Sequence, residues 1–313
     1  MSLVFPPLLF TLHSSLLKRG FILLKLRIIT ALCLVPLVLA AMFLLPLTYF
    51  SLFAGGVFLL AAREWGNFID PQKTSVFMVS LALILIGSMA FIPQSQLWLG
   101  STGEESLLSG LQASAVWVLG AGSIWWLLAL GLVLTFPRSA GFWREQPGLK
   151  ALFAMLTLVP FYWALLVLRS YQYDQDAHYG AWLLLFVMSL VWVADTGAYF
   201  AGKAFGKHKL CPNVSPGKTI EGMVGGVVAA SVLALIVTQS MALPMHTSVV
   251  LLVASIVSVF ASVLGDLAES MFKREAGLKD SGNILPGHGG IMDRIDSLTA
   301  ALPVFVVVVW LLG

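Results

Sequence analysis

Nine apolar stretches, at about residues 28–46, 48–62, 75–93, 114–136, 149–168, 180–199, 222–241, 247–265 and 295–312, follow one another with little between them. A helix needs about 20 mostly apolar residues to cross a bilayer. Inside lipid every backbone polar group must bond within its own segment, which leaves helices or closed barrels. Runs of this length select helices. The composition agrees: 59% of the residues are hydrophobic and only 11% charged, against about 25% charged in a soluble domain. Mean hydropathy is +0.93. The expectation is an all-α integral membrane protein, a polytopic bundle of nine transmembrane helices, with one membrane domain over 28–313.

Residues 1–27 read as an N-terminal extension. In "MSLVFPPLLFTLHSSLLKRG" the positive charges follow the apolar run and no small-residue cleavage site is present, so a signal peptide is not expected. The segment either lies on the membrane surface or precedes the true start. Cys33 and Cys211 have no metal-site spacing, and the topology keeps them from a disulfide. A net charge of +3 offers no basic face for nucleic acid.

The cations set the orientation. With nine spans, seventeen of the eighteen lysines and arginines fall on one side and Arg169 alone on the other. Translocating cations is unfavourable, so the crowded side is cytoplasmic. The N-terminus is then inside and the C-terminus outside. A cell inner membrane location follows, with the working face toward the cytoplasm. The outer connections carry acids and aromatics without a catalytic pattern.

Three polar clusters lie between 195 and 297, all toward the inner face. In "DTGAYFAGKAFGKHKLCPNVSPGKTIEG", Asp195 sits near the inner end of a span, where a carboxylate is costly unless paired. Lys203, Lys207 and Lys209 are explained equally well by the positive-inside bias. Pro216-Gly217 is expected to form a turn presenting Lys218 and Thr219 together, with Ser215 beside them. "GKT" is no phosphate-binding P-loop, because Pro212 stands where that motif needs glycine. Gly222 and Gly226 have the spacing of close helix packing.

In "LGDLAESMFKR", Asp266, Glu269, Ser270 and Lys273 share one helix face. An ordinary amphipathic helix end with a Glu269–Lys273 pair accounts for Glu269 but poorly for Asp266. The third cluster is "KDSGNILPGHGGIMDRIDS". Its glycines permit unusual backbone angles and close ligand approach, and a loop entering a helix favours phosphate. Asp293 and Asp296 suit helix capping. Capping needs one of them; two, with Asp266 and Arg294 nearby, suit a divalent cation, since hard cations choose carboxylate and phosphate oxygens. Acids for metal, bases for phosphate and a glycine loop are the equipment of phosphoryl or nucleotidyl transfer.

"SMFKREAGLKDSGNILPGHGGIMDRIDS" (270–297) resembles the signature of the phosphatidate cytidylyltransferases. Ser270, Lys273, Arg274, Lys279, Asp280, Pro286, His288, Gly289, Gly290, Asp293, Arg294 and Asp296 all match it. The blocks around 194–222 and 263–270 are similar too. The resemblance covers about residue 22 to the end and leaves the N-terminal extension outside. It implies transfer of CMP from CTP to phosphatidic acid, giving CDP-diacylglycerol and pyrophosphate in phospholipid biosynthesis. It further implies Mg²⁺, with room for a second monovalent or divalent cation, held by Asp266 and Asp293 and joined by Asp296 and Asp195. By position, Lys218, Lys279 and Arg294 meet CTP phosphates, assisted by Ser215, Thr219 and the Gly289–Gly290 backbone. Lys273 and Arg274 suit the lipid phosphate. His288 either orients a phosphate or stabilises a turn. The chain is also compatible with a homodimer. Two rival activities use the same groups: CTP-dependent activation of another lipid phosphate, such as an isoprenoid ether lipid, and phosphorylation of a lipid alcohol. An anion transporter is disfavoured, because the charges gather at one face and no internal repeat is visible.

Overall fold

The computed structural model describes residues 26, 29–92, 97 and 111–313. The N-terminal extension and most of the 93–110 connection lie outside them. Ten helices and one hairpin follow in chain order: α1 (Ile29–Leu44), α2 (Leu47–Gly66), α3 (Thr74–Phe91), α4 (Ala113–Leu134), the short α5 (Ala140–Trp143), α6 (Pro147–Ser170), α7 (Tyr179–Phe205), β1 (Lys209–Cys211), β2 (Ser215–Thr219), α8 (Ile220–Ser240), α9 (Met245–Glu275) and α10 (Met292–Leu312). Eight of these helices are long and apolar enough to cross a membrane. They coincide with the last eight expected spans. The first expected span is α1, which is shorter over its described residues.

Most of the lateral surface is apolar. Leu44, Trp117, Leu127 and Leu134 are exposed, as a lipid-facing bundle requires. The most enclosed helix is α6, whose Pro160 fits a notch left by Gly122 of α4; a Cβ there would lie 2.5 Å from the proline ring. At one end of the bundle an aromatic cluster joins α2, α5, α6 and α9. Trp65, Trp143 and Phe153 surround Phe272, with Trp65 and Phe272 centroids 5.1 Å apart.

Two seams lack side-chain bulk. Between α7 and α8, a Cβ on Gly225 would stand 2.2 Å from the Ala201 Cβ, and one on Gly226 2.7 Å from the Ala194 carbonyl. The Gly222–Gly226 spacing therefore does mark close packing. Between α9 and α10, a Cβ on Gly265 would lie 2.5 Å from the Asp296 carbonyl. The smallest residue thus sits next to Asp266, at a close approach of the two helices.

The hairpin corrects one local expectation. The turn falls at Pro212–Val214, with the Val214 N–H donating to the Cys211 carbonyl over 3.2 Å, and Ser215–Thr219 is an extended strand antiparallel to β1. Pro216-Gly217 is therefore not a turn. Proline is tolerated because β2 is an edge strand of a two-stranded ribbon.

Candidate active site

All three polar clusters meet at the end of the bundle that carries the hairpin, and they form two adjoining groups. The first lies where α7, β2, α8 and α9 converge. Asp195, Tyr199, Lys203, Lys218, Thr219 and Met223 help line a cavity of about 400 Å³. The Lys218 ammonium reaches Asp266 Oδ2 at 2.6 Å, with both side chains about one-third exposed or less. Asp195 and Asp296 are within electrostatic range of Asp266 and Lys218. One Asp296 oxygen accepts the Ser297 N–H at 2.7 Å. Lys203 lies over the Tyr199 ring, and both line this cavity. Thr219 also shapes the backbone, since its hydroxyl oxygen accepts the Gly222 N–H at 3.1 Å and caps α8.

The second group is more enclosed. Lys273 bonds Glu269 Oε2 at 2.5 Å and Asp293 Oδ1 at 2.7 Å. The other Asp293 oxygen accepts the backbone N–H of Ser281 at 2.9 Å and of Gly290 at 2.7 Å. Both Asp293 oxygens therefore already have protein partners, and Lys273 is committed between two carboxylates. Glu269 is buried, so the helical pair expected at a surface is instead an interior one.

The glycine loop differs from its expected role. Leu285 and Gly289 pair across a tight turn, which Gly287 and Gly289 permit with φ of +76° and +82°. The His288 N–H donates to the Leu285 carbonyl, so its backbone belongs to the turn. The N–H groups entering α10 do not await an anion. That of Gly290 goes to Asp293, while those of Ile291 and Met292 donate to Glu64 at 3.0 and 2.8 Å. The backbone of Gly290 is thus engaged within the protein instead of turned to a phosphate.

Arg274 points back to the hairpin, donating through Nε to the Val214 carbonyl at 3.3 Å. Lys279 and Arg294 are exposed, and Ser215 is half-buried beside Arg274's hairpin contact. Burial pushes the Cys211 thiol above its ordinary range, which disfavours thiolate chemistry there.

Glu64 on α2 was not anticipated. It is 2% exposed and its only sequence signal is an acid inside the apolar run "FLLAAREWG". Its neighbour Asn67 donates through Nδ2 to the Ser281 carbonyl at 2.8 Å. The signature loop is therefore fastened by a helix more than two hundred residues earlier in the chain.

Among the described residues no three His, Cys, Asp or Glu side chains converge into a ready-made cation cage. The donor set still suits magnesium, which keeps several waters and takes one or two carboxylates together with substrate phosphates. Asp266, with Asp296 and Asp195 in range, already draws one cation, the Lys218 ammonium.

Comparison with known proteins follows the same residues. The cytidylyltransferase family profile matches residues 25–312. A phosphatidate cytidylyltransferase of Haemophilus influenzae is 43% identical, over 90% of this chain and 97% of its own. One of Pseudomonas aeruginosa is 41% identical, over 93% and 98% respectively. One of Bacillus subtilis is 34% identical, over 72% of this chain and 91% of its own.

Proposed function

The chain belongs to the cytidylyltransferase family, and from that premise we propose how its two polar groups divide the work. The protein is a multi-pass membrane enzyme that transfers CMP from CTP to phosphatidate. A phosphatidate oxygen attacks the α-phosphorus of CTP, the bond to the β-phosphate breaks, and pyrophosphate leaves with that electron pair. A phosphate monoester has a second pKa of about 6, so the nucleophile is already largely dianionic at neutral pH. The barrier is repulsion between anions, and positioned charge lowers it.

Lys218 and Lys203 supply charge in the cavity, and exposed Lys279 and Arg294 draw the triphosphate in from solution. Asp266 would hold Mg²⁺, with Asp296 and Asp195 beside it; the ion neutralises phosphate oxygens and orients the leaving group when bound. Asp293 fixes Lys273 and the loop, and its Oδ1, which accepts from Lys273, keeps a lone pair that could also meet a metal ion. The observation that carries this reading is the contact to Asp266 made by Lys218, a residue that lines the cavity. Both are held in a membrane-boundary layer where an unsupported charge would be costly. The crowding of cations at this end supports a cytoplasmic active site in an inner membrane.

The test is CTP-dependent formation of CDP-diacylglycerol in liposomes. Chelation is expected to abolish it and Mg²⁺ to restore it. Asp266→Asn is expected to lose about a hundredfold or more in turnover. Near-parental turnover in Asp266→Asn removes that residue from the site.

A further inference from the structure

Glu64 is a buried carboxylate held by N–H and O–H groups alone. Oε1 accepts the Ile291 N–H at 3.0 Å, and Oε2 accepts the Met292 N–H at 2.8 Å. The Ser281 hydroxyl lies 3.1 Å from Glu64 Oε2 and 3.0 Å from Asp293 Oδ2. Two glycines leave the space for this carboxylate. A Cβ on Gly282 would lie 2.5 Å from Glu64 Oε1, and one on Gly290 would lie 2.3 Å from Oε2. The last glycine of "PGHGG" therefore makes room for a protein side chain. The positive end of the α10 dipole supplies part of the compensation for the buried charge.

We propose that Glu64 is a positioning residue for cytidylyl transfer. It caps α10 from another helix and, through Ser281, sets the placement of Asp293 and hence of Lys273. Its side chain touches no reacting group. It acts by holding the start of α10 against α2, which is itself anchored where Trp65 Nε1 donates to the Lys150 carbonyl at 3.2 Å and Lys150 Nζ donates to the Phe68 carbonyl at 3.0 Å. A secondary effect is that the helix terminus, already capped by a carboxylate, does not compete with Lys218 for phosphate.

The inference rests on the cytidylyltransferase reading, and the parental protein separates the two: an inactive parent refutes that reading, an active parent leaves this one to the variants. Glu64→Gln keeps the shape but sets an amide NH₂ against backbone donors. In full-length protein in liposomes, it is expected to lower kcat at least tenfold. KM for CTP and for phosphatidate should change less than threefold, and the thermal midpoint should stay within a few degrees. Glu64→Asp, which restores the charge, is expected to recover a substantial part of kcat. Turnover of Glu64→Gln within twofold of the parent overturns the proposal. So does a loss that tracks the thermal midpoint and is not relieved by aspartate. Should Gln at 64 prevent folding, Ser281→Ala decides: a several-fold drop in kcat supports the proposal, and unchanged kcat overturns it.

Discussion

At the scale of single residues, the same side-chain types serve two ends. Asp266 meets the half-exposed Lys218 ammonium and the Ser270 hydroxyl, whereas Asp293 is enclosed by Lys273, Ser281 and Gly290. Asp293→Asn should therefore harm folding as well as chemistry. It removes one of the two charges opposing half-buried Lys273, leaving Glu269, and sets an amide beside donors, so the cost should fall below the roughly 3–5 kcal/mol of a buried pair broken outright. Asp266→Asn leaves Lys218 with partial access to water and should cost stability far less. Thermal unfolding of both variants in the same detergent checks the ordering; equal midpoints would remove the distinction. The sequence pattern placed these aspartates in one region but did not divide their labour. Spacing reports which residues share a helix face, and not which partners a distant helix brings. Glu64 escaped notice for this reason: nothing near it in the chain resembles a motif, and its partners begin at Ser281.

At the scale of elements, helix positions were legible because each span must be apolar throughout, so its ends are marked by charge. The β1–β2 hairpin was not legible, since three- and five-residue strands are too short to show a period. The α7–α8 seam was legible from Gly222 and Gly226, whereas the role of Gly265 was not: a lone glycine in an apolar run carries no periodic signal. Seams without bulk tolerate little change. Gly225→Val would drive a side chain into Ala201, and overpacking of this kind costs about 1–3 kcal/mol. Lower thermal stability, with activity lost because the cavity wall moves, is the expected result. Gly217→Ala, where a Cβ meets open space, should leave the thermal midpoint unchanged and serves as the control.

At the scale of the whole molecule, the alternation of spans puts Glu64, Lys218, Lys273 and Asp293 at one end and Arg169 at the other. With the cation-rich end inside, a reporter that works only in the cytoplasm should be silent when fused after Gly313. An active reporter there would reverse the assigned orientation. Arg169 is buried between the Phe50 and Tyr173 rings. Its guanidinium donates to the Ala177 carbonyl at 2.8 Å and the Leu45 carbonyl at 3.2 Å. Arg169→Met should destabilise the protein by roughly 3 kcal/mol, because charged hydrogen bonds are lost and carbonyls stranded; a chemical denaturation midpoint reads this directly. The guanidinium also works as a clasp. It pins the α1–α2 corner and the 171–178 connection to the rim of α6. Three segments far apart in the chain therefore share one fixed point at the end of the bundle away from the hairpin, and loosening it would free all three together.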